Sequence, residues 1–252
     1  MVTKFKIVVP SFNSVAWIGK TLDSIAFQTD KNFDVCVIDD GSTVKGQKEI
    51  IQSYAQKYGW LTHFHEKNEG VLYGIVHAIP DLQCEDEDVI LVIDGDDWLL
   101  HERVFETLRK VYDAHDPLLT WGRCELYPPH APPVYYGQPV PEFVLTQKLC
   151  RQFPFVFWQL RSFKYKIWKY LLDADLRDHD GEYFRTQQDK AIMFPLLEMA
   201  GTRAFYVDEP LYVYNIGNPL NDFECTATDE HHRVDAYIRN LPKYALLDSL
   251  KT

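Results

Sequence analysis

Asp94-Gly95-Asp96-Asp97 places three carboxylates in four residues at the end of an apolar run. Carboxylates this close repel one another unless they share a cation or face water. Hard oxygen donors of this kind suit Mg²⁺ or Mn²⁺ and leave coordination sites for substrate phosphates. Gly95 lets the backbone turn tightly between the acids. An Asp-rich turn in plain water is the alternative. A calcium loop of the EF-hand type fits badly. It needs Gly at its sixth position and Glu at its twelfth, which here are Leu99 and Phe105. A phosphatase-type aspartate nucleophile belongs at the end of an early strand, whereas these acids follow several strand–helix units.

Some element must deliver the acids. Residues 89–93 are a continuous apolar run, the pattern of a strand covered on both faces. Upstream, residues 5–9 and 34–38 read as strands. They end in Pro10-Ser11-Phe12-Asn13 and in Asp39-Asp40-Gly41-Ser42. Residues 61–65 read as another strand, followed by Asn68-Glu69-Gly70. Helical spacing separates them. Val15, Ile18, Leu22 and Ile25 form one set, with Asn13 or Ser14 as its cap. Ile50, Ile51, Tyr54 and Tyr58 form a second. A short third helix ends before Pro80, and residues 101–115 form a fourth with Val104, Leu108, Val111 and Tyr112 on one face. Residues 118–121 read as a fifth strand. This alternation predicts an α/β fold, a mainly parallel central sheet with helices on both faces. Ligands in such sheets bind beyond the carboxyl ends of the strands. The PSFN, DDGS and DGDD segments all lie there and are expected to converge on one crevice.

Several classes are disfavoured. The chain lacks G-x-G-x-x-G and G-x-x-x-x-G-K-[ST], so a dinucleotide fingerprint and a P-loop are both missing. The glycine-rich opening loop of sugar-phosphate nucleotidyltransferases is missing too. A nucleotide bound here must be held by acids and a metal. No apolar run is long enough to cross a bilayer, and the start of the chain has no signal-peptide pattern. Cys36, Cys84, Cys124, Cys150 and Cys225 are odd in number and scattered. That suits free thiols in a reducing, cytoplasmic setting and argues against zinc. A formal net charge of −11 disfavours nucleic acid as a partner.

The second half changes texture. Pro128, Pro129, Pro132, Pro133, Pro139 and Pro141 break residues 124–150 into an irregular excursion or lid. Residues 153–172 are aromatic and basic, and helix is expected from about Arg161. An amphipathic helix covering the sheet is preferred there over a membrane-surface helix. Residues 173–181 read as an acidic loop. Residues 187–200 read as a helix with Ile192, Leu196 and Met199 on one side and Gly201 as its stop. Two short strands flank Pro210. A helix or helix pair, interrupted at Pro242, closes residues 229–250.

The order of motifs resembles the family-2 glycosyltransferases, with the fold called GT-A. The residues that carry this are VVPSFNS (8–14), VIDDGS (37–42), NEG (68–70), VIDGDDWL (92–99), QQDKAIMFPLLEMAG (187–201) and EPLYVYN (209–215). The resemblance spans about residues 4–215 and leaves the 124–150 excursion and the tail beyond Asn215 uncovered. It implies a metal-dependent inverting transfer of a sugar from a nucleoside-diphosphate sugar to a hydroxyl of a glycan, lipid or protein acceptor. By resemblance, Pro10, Ser11 and Phe12 border the base, with Asn13 in the same loop. Asp40 accepts a hydrogen bond from the base. Asn68 and Gly70 belong to the donor site. Asp94, followed by Gly95, lies near the ribose. Asp96 binds Mn²⁺ or Mg²⁺, with Asp97 beside it, and Asp189 is the catalytic base. Gln188 stands where the family usually shows Glu.

A carboxylate at Asp40 accepts but does not donate, so bases with a ring N–H fit it and UDP is expected first. The acids that precede Asp189, namely Asp178, Asp180 and Glu182, are the reserve candidates for the base. A metal-dependent phosphohydrolase and a non-catalytic nucleotide-sugar-binding scaffold are the competing functions. The expected organisation is one GT-A-like domain over residues 1–252. Its nucleotide-sugar half is 1–123, and its acceptor-side half with the C-terminal helices is 124–252.

Overall fold

β1 (Phe5–Ser11) is buried along its whole length, as a strand covered on both faces must be. This computed structural model describes residues 3–130, 134–219 and 228–250; Pro132, Pro133 and Cys225 lie outside the described residues. α1 (Ile18–Ala26) buries Ile18, Leu22 and Ile25. β2 (Phe33–Asp39) pairs in parallel with β1. α2 (Gln47–Tyr58) leads to β3 (Leu61–Phe64), and α3 (Val71–Asp81) leads to β4 (Val89–Val92). β3 runs parallel to β2, and β4 runs parallel to β1 with Phe5 opposite Val89. These four strands carry the loops expected to converge.

The sheet continues past β4. In chain order come β5 (Trp98–Leu99), α4 (Val104–His115), β6 (Leu119–Tyr127), β7 (Tyr135–Tyr136), α5 (Glu142–Thr146) and β8 (Trp158–Lys164). Then follow α6 (Tyr165–Trp168), α7 (Gln188–Ala200), β9 (Ala204–Asn215), α8 (Thr228–Asn240) and α9 (Leu247–Leu250). The strand order is β3-β2-β1-β4-β8-β6-β9-β5, with β7 bonded to β6. The result is a mixed, mostly parallel sheet with helices on both faces. Val8, Ile38 and Ile90 pack with α3 and α7 on one face. Ile7, Val9, Val37 and Leu91 pack with α1, α2 and α4 on the other. Adjacent residues of β1 point into different cores, as the two-residue strand period requires.

Several local expectations are corrected. The helix expected from Arg161 is instead β8, followed by the single turn of α6. β8 fills the gap between β4 and β6, with Phe163 opposite both Ile90 and Leu119. Its polar residues are buried because they have partners. Lys164 Nζ lies 2.7 Å from Glu87 Oε2 and also pairs with Asp116. Ser162 Oγ lies 2.6 Å from Thr120 Oγ1. A charge period read as amphipathic helix was a strand whose charges are neutralised inside.

The two strands around Pro210 are one strand, β9. The register against β6 slips between Gly122 and Arg123, where Pro210 pairs, so the missing N–H falls at an irregularity. α1 begins at Ile18, and no side chain caps it. The Ser14 carbonyl accepts from the N–H groups of Trp17 and Ile18 instead. α4 begins at Val104 rather than at residue 101, and α3 extends through Pro80. The excursion is also more ordered than expected. β6 runs on to Tyr127, and β7 and α5 follow it.

Candidate active site

A cleft of about 490 Å³ opens at the carboxyl ends of β1, β2 and β4. Pro10, Ser11, Phe12, Asp40, Asn68, Gly70, Asp94, Gly95, Asp96, Asp97 and Asp189 all line it. Segments separated by up to about 180 residues in sequence therefore meet. Asn13 does not line the cleft. Its Oδ1 accepts from the Thr43 and Val44 N–H groups at 2.9 and 3.2 Å, tying the PSFN loop to the loop after β2. Asp178, Asp180 and Glu182 do not line the cleft either.

The acid loop presses against the end of β1. The Gly95 N–H donates to the Pro10 carbonyl at 2.9 Å. A Cβ at Gly95 would come within 2.5 Å of the Ser11 Cβ, so glycine is required by close approach. Thr21 of α1 fixes the same loop from below. Its hydroxyl donates to the carbonyls of Asp97 at 2.6 Å and Gly95 at 3.1 Å.

The three acids occupy different surroundings. Asp97 is buried, and its Oδ1 accepts from the Asn215 N–H at 2.7 Å. Its Oδ2 is buried with no hydrogen-bond partner among the described residues. Burial, and then the charges of Asp96 and Asp94, push the Asp97 carboxyl well above its usual range, against the pull of the Asn215 N–H and the Tyr212 hydroxyl. Asp96 Oδ2 accepts from Asn218 Nδ2 at 2.7 Å. Asp94 Oδ2 accepts from Gln159 Nε2 at 3.3 Å, and the Asp94 N–H donates to the Tyr212 hydroxyl at 3.1 Å. Burial, with Asp97 and Asp94 next, raises the Tyr212 hydroxyl well above the ordinary phenol range.

These observations fit a divalent cation in part. The donors are hard oxygens, they crowd one another, and one buried carboxylate oxygen has no partner among the described residues. They do not form a closed cage. Among the described residues, the group of three whose ligand atoms all lie within 4.8 Å is Asp178, His179 and Asp180, outside the cleft. A Mg²⁺ or Mn²⁺ site completed by phosphates needs only one or two protein carboxylates, and Asp96 lines the cleft.

Asp40 is held from three sides. Its Oδ1 lies 2.7 Å from His65 Nδ1 and accepts from the Glu69 N–H at 2.9 Å. Its Oδ2 accepts from the Gly70 N–H at 2.8 Å. A carboxylate has about four acceptor sites, so about one remains for a ligand.

α7 starts with Gln188, and Asp189 stands in its first turn. The helix N-cap is Gln187, with no capping side chain. Asp189 is half exposed, and its Oδ1 lies 2.7 Å from Arg161 Nη1, whose side chain is 10% exposed. Burial alone would lower the Arg161 pKa, but the charge of Asp189, and then that of Asp94, outweighs it and raises it. A buried guanidinium thus sits under the influence of both the acid loop and Asp189. Arg161, Gln159, Arg185, Asn218 and His231 line the cleft and were not singled out from sequence. The signal for Gln159 and Arg161 was the two-residue spacing of polar residues inside an aromatic run. Asn218 and His231 gave none.

The four described cysteines are free. Burial pushes the Cys36, Cys124 and Cys150 thiols to about 12 and Cys84 to about 11, so none is a poised nucleophile. None of the four lines the cleft. No helix among the described residues is long and apolar enough to cross a membrane.

A mostly parallel α/β sheet with an acid-lined crevice at its strand ends, extended by antiparallel strands, is the GT-A fold of glycosyltransferases. The chain belongs to glycosyl transferase family 2, whose description matches residues 6–172. In sequence it is 37% identical over 68 residues to an uncharacterised glycosyltransferase of Rickettsia felis, covering 27% of this chain and 11% of that one. In structure it is similar to TarS of Staphylococcus aureus in complex with UDP-GlcNAc. The TM-score is 0.67 at 19% identity, covering 94% of this chain and 66% of that one. It also resembles a mannosyltransferase, PcManGT of Pyrobaculum calidifontis, in complex with GDP-Man and Mn²⁺. There the TM-score is 0.57 at 15% identity, covering 85% and 57% of the two chains. The matched stretch is thus a small part of the Rickettsia relative, and this chain spans about two thirds or less of the two solved structures.

Proposed function

We propose that the chain transfers a sugar from a nucleoside-diphosphate sugar, UDP-linked first, to an acceptor hydroxyl, with inversion and with Mn²⁺ or Mg²⁺. The observation that carries this is convergence: Asp40, Asp94, Asp96 and Asp189 line one cleft although they come from three separate segments. The cation, when bound, offsets the charge of the departing diphosphate as a Lewis acid. The chain's own residues do the rest. Asp40 offers its remaining acceptor site to a ring N–H of the base. Asp94 lies where a ribose would follow, and Asp96 supplies a metal ligand. Asp189 takes the proton of the attacking hydroxyl. Attack from the face opposite the diphosphate inverts the anomeric centre. TarS and PcManGT, solved with UDP-GlcNAc and with GDP-Man and Mn²⁺, support this class of donor and metal. The acceptor, whether glycan, lipid or protein, meets the half of the chain from residue 124 on, and residues 1–123 supply the donor's base, ribose and metal contacts.

Product analysis with a panel of UDP-sugars and acceptors tests the reading. A glycosylated product is expected. Free sugar alone would mean hydrolysis, and binding without either product would mean a scaffold. Excess chelator should abolish transfer and Mn²⁺ should restore it; full activity in chelator overturns the metal assignment. Asp96→Asn should raise the Mn²⁺ needed for half-maximal rate by on the order of tenfold or more, because ligand charge sets affinity.

The base can be checked separately. UDP should bind more tightly than CDP or ADP in calorimetry, since cytosine and adenine lack the ring N–H that Asp40 would accept. Tighter binding of CDP or ADP removes Asp40 from this role.

A further inference from the structure

We propose that Arg185 binds the diphosphate of the donor. This rests on the nucleotide-sugar reading above. Arg161, Arg185 and Lys190 are the Arg and Lys residues that line the cleft. Two of them already have carboxylate partners. Arg161 pairs with Asp189 at 2.7 Å, and Lys190 pairs with Asp235 at 2.5 Å. Arg185 has only neutral partners among the described residues. Its Nη1 donates to Asn68 Oδ1 at 2.8 Å and to the Asn68 carbonyl at 3.3 Å, and its Nη2 donates to that carbonyl at 3.4 Å. Its Nε makes no hydrogen bond among the described residues.

The position suits a phosphate. The guanidinium packs on Gly70, where an added Cβ would lie 3.1 Å from Nη1. The Gly70 N–H holds Asp40, the base-reading acid. Four residues further along the chain is Asp189, the base for the acceptor hydroxyl. A donor reaching from Asp40 to Asp189 passes its diphosphate between nucleoside and sugar, alongside the segment that begins at Arg185. That diphosphate is anionic, and five aspartates line the cleft around it. An exposed guanidinium with no carboxylate partner offsets that repulsion, and its planar fork matches phosphate oxygens two at a time. The contact with Asn68 is neutral, so a phosphate displaces it at small cost.

The test is calorimetry of UDP and of uridine, with Mg²⁺, on the wild type, Arg185→Gln, Arg185→Lys and Arg103→Gln. Arg103 is exposed and paired with Glu106, so its loss controls for removing one positive charge at a distance. Arg185→Gln should bind UDP about tenfold more weakly or worse, the value of a charge-assisted hydrogen bond, while uridine is unaffected. Arg185→Lys should fall between, and Arg103→Gln should match the wild type. Unchanged UDP affinity in Arg185→Gln overturns the proposal and leaves the donor reading intact. So does an equal loss for UDP and uridine, which would mean that Arg185 only shapes the base pocket through Asn68. The comparison of Arg185→Gln with Arg103→Gln on UDP decides the matter even where uridine binds too weakly to titrate. A wild type that binds neither ligand takes down the nucleotide reading and this assignment together.

Discussion

Glu198→Gln is expected to lower the unfolding free energy by about 3–5 kcal/mol, because it strands a buried charge. Glu198 and Arg151 are 0% and 1% exposed. Glu198 Oε1 accepts from Arg151 Nε at 2.6 Å, and Oε2 accepts from Arg151 Nη2 and from the Tyr244 N–H, both at 3.0 Å. Arg151 Nη1 also donates to the Ile238 carbonyl near the end of α8. One ion pair therefore ties α7, the loop after α5, α8 and the segment before α9. Glutamine keeps the size of the side chain but removes the counter-charge. Arg151 cannot reach water, so the desolvation cost of its charge is uncompensated. The double change Glu198→Leu with Arg151→Met removes both charges and should be much less damaging than the single changes added together. Recovery should be incomplete, since the Tyr244 N–H and the Ile238 carbonyl lose partners. Urea unfolding of the wild type, Glu198→Gln, the two single changes of the pair and the double change measures this. A loss below about 1 kcal/mol for Glu198→Gln would show that water reaches Arg151.

How far the chain could be read without coordinates depends on where its charges find partners. β1, β2 and β4 were legible because uninterrupted apolar runs end abruptly in Asp, Ser, Asn or Gly. β1 is buried throughout, β2 and β4 over most of their length, and residues at the ends of all three line the cleft. The rule that ligands bind at strand ends then gave one wall of the cleft. β8 was illegible for the opposite reason. Arg161 and Lys164 read as solvent-facing, yet Lys164 is neutralised by Glu87 and Asp116 and Arg161 by Asp189. Pairings that distant leave no local trace. Asn13 shows another limit: its side chain does not line the cleft, and it ties the loop after β1 to the loop after β2. The rest of the cleft depends on similar long-range contacts. Asn218 reaches Asp96 across 122 residues, and no spacing rule connects them.

Asp189→Asn is expected to lower turnover by about a hundred- to ten-thousand-fold, the usual worth of a positioned general base. Donor affinity should stay close to wild type, since the groups assigned to the donor, Asp40, Asp96 and Arg185, are untouched. The structure narrows the rival explanation. Asp189 is not the helix cap, which is Gln187, so a capping role does not account for it. The remaining rival is structural: Asp189 would serve only as counter-ion to the buried Arg161. Both readings predict some loss of stability on Asp189→Asn, so the melting temperature alone does not separate them. Asp189→Glu does. Glutamate keeps the charge and can still pair with Arg161, so the structural reading predicts near-full activity. A base displaced by one methylene no longer meets the hydroxyl in line, and the catalytic reading predicts a large loss in this variant too. Rates should be measured well below each variant's melting temperature, with donor affinity taken from calorimetry on the same samples. A slow Asp189→Glu that melts like the wild type and binds UDP normally assigns the proton transfer to Asp189. A near-wild-type rate in Asp189→Asn removes it from the mechanism. Asp178, Asp180 and Glu182 could then replace it only if their loop moved, because in this structure none of them lines the cleft.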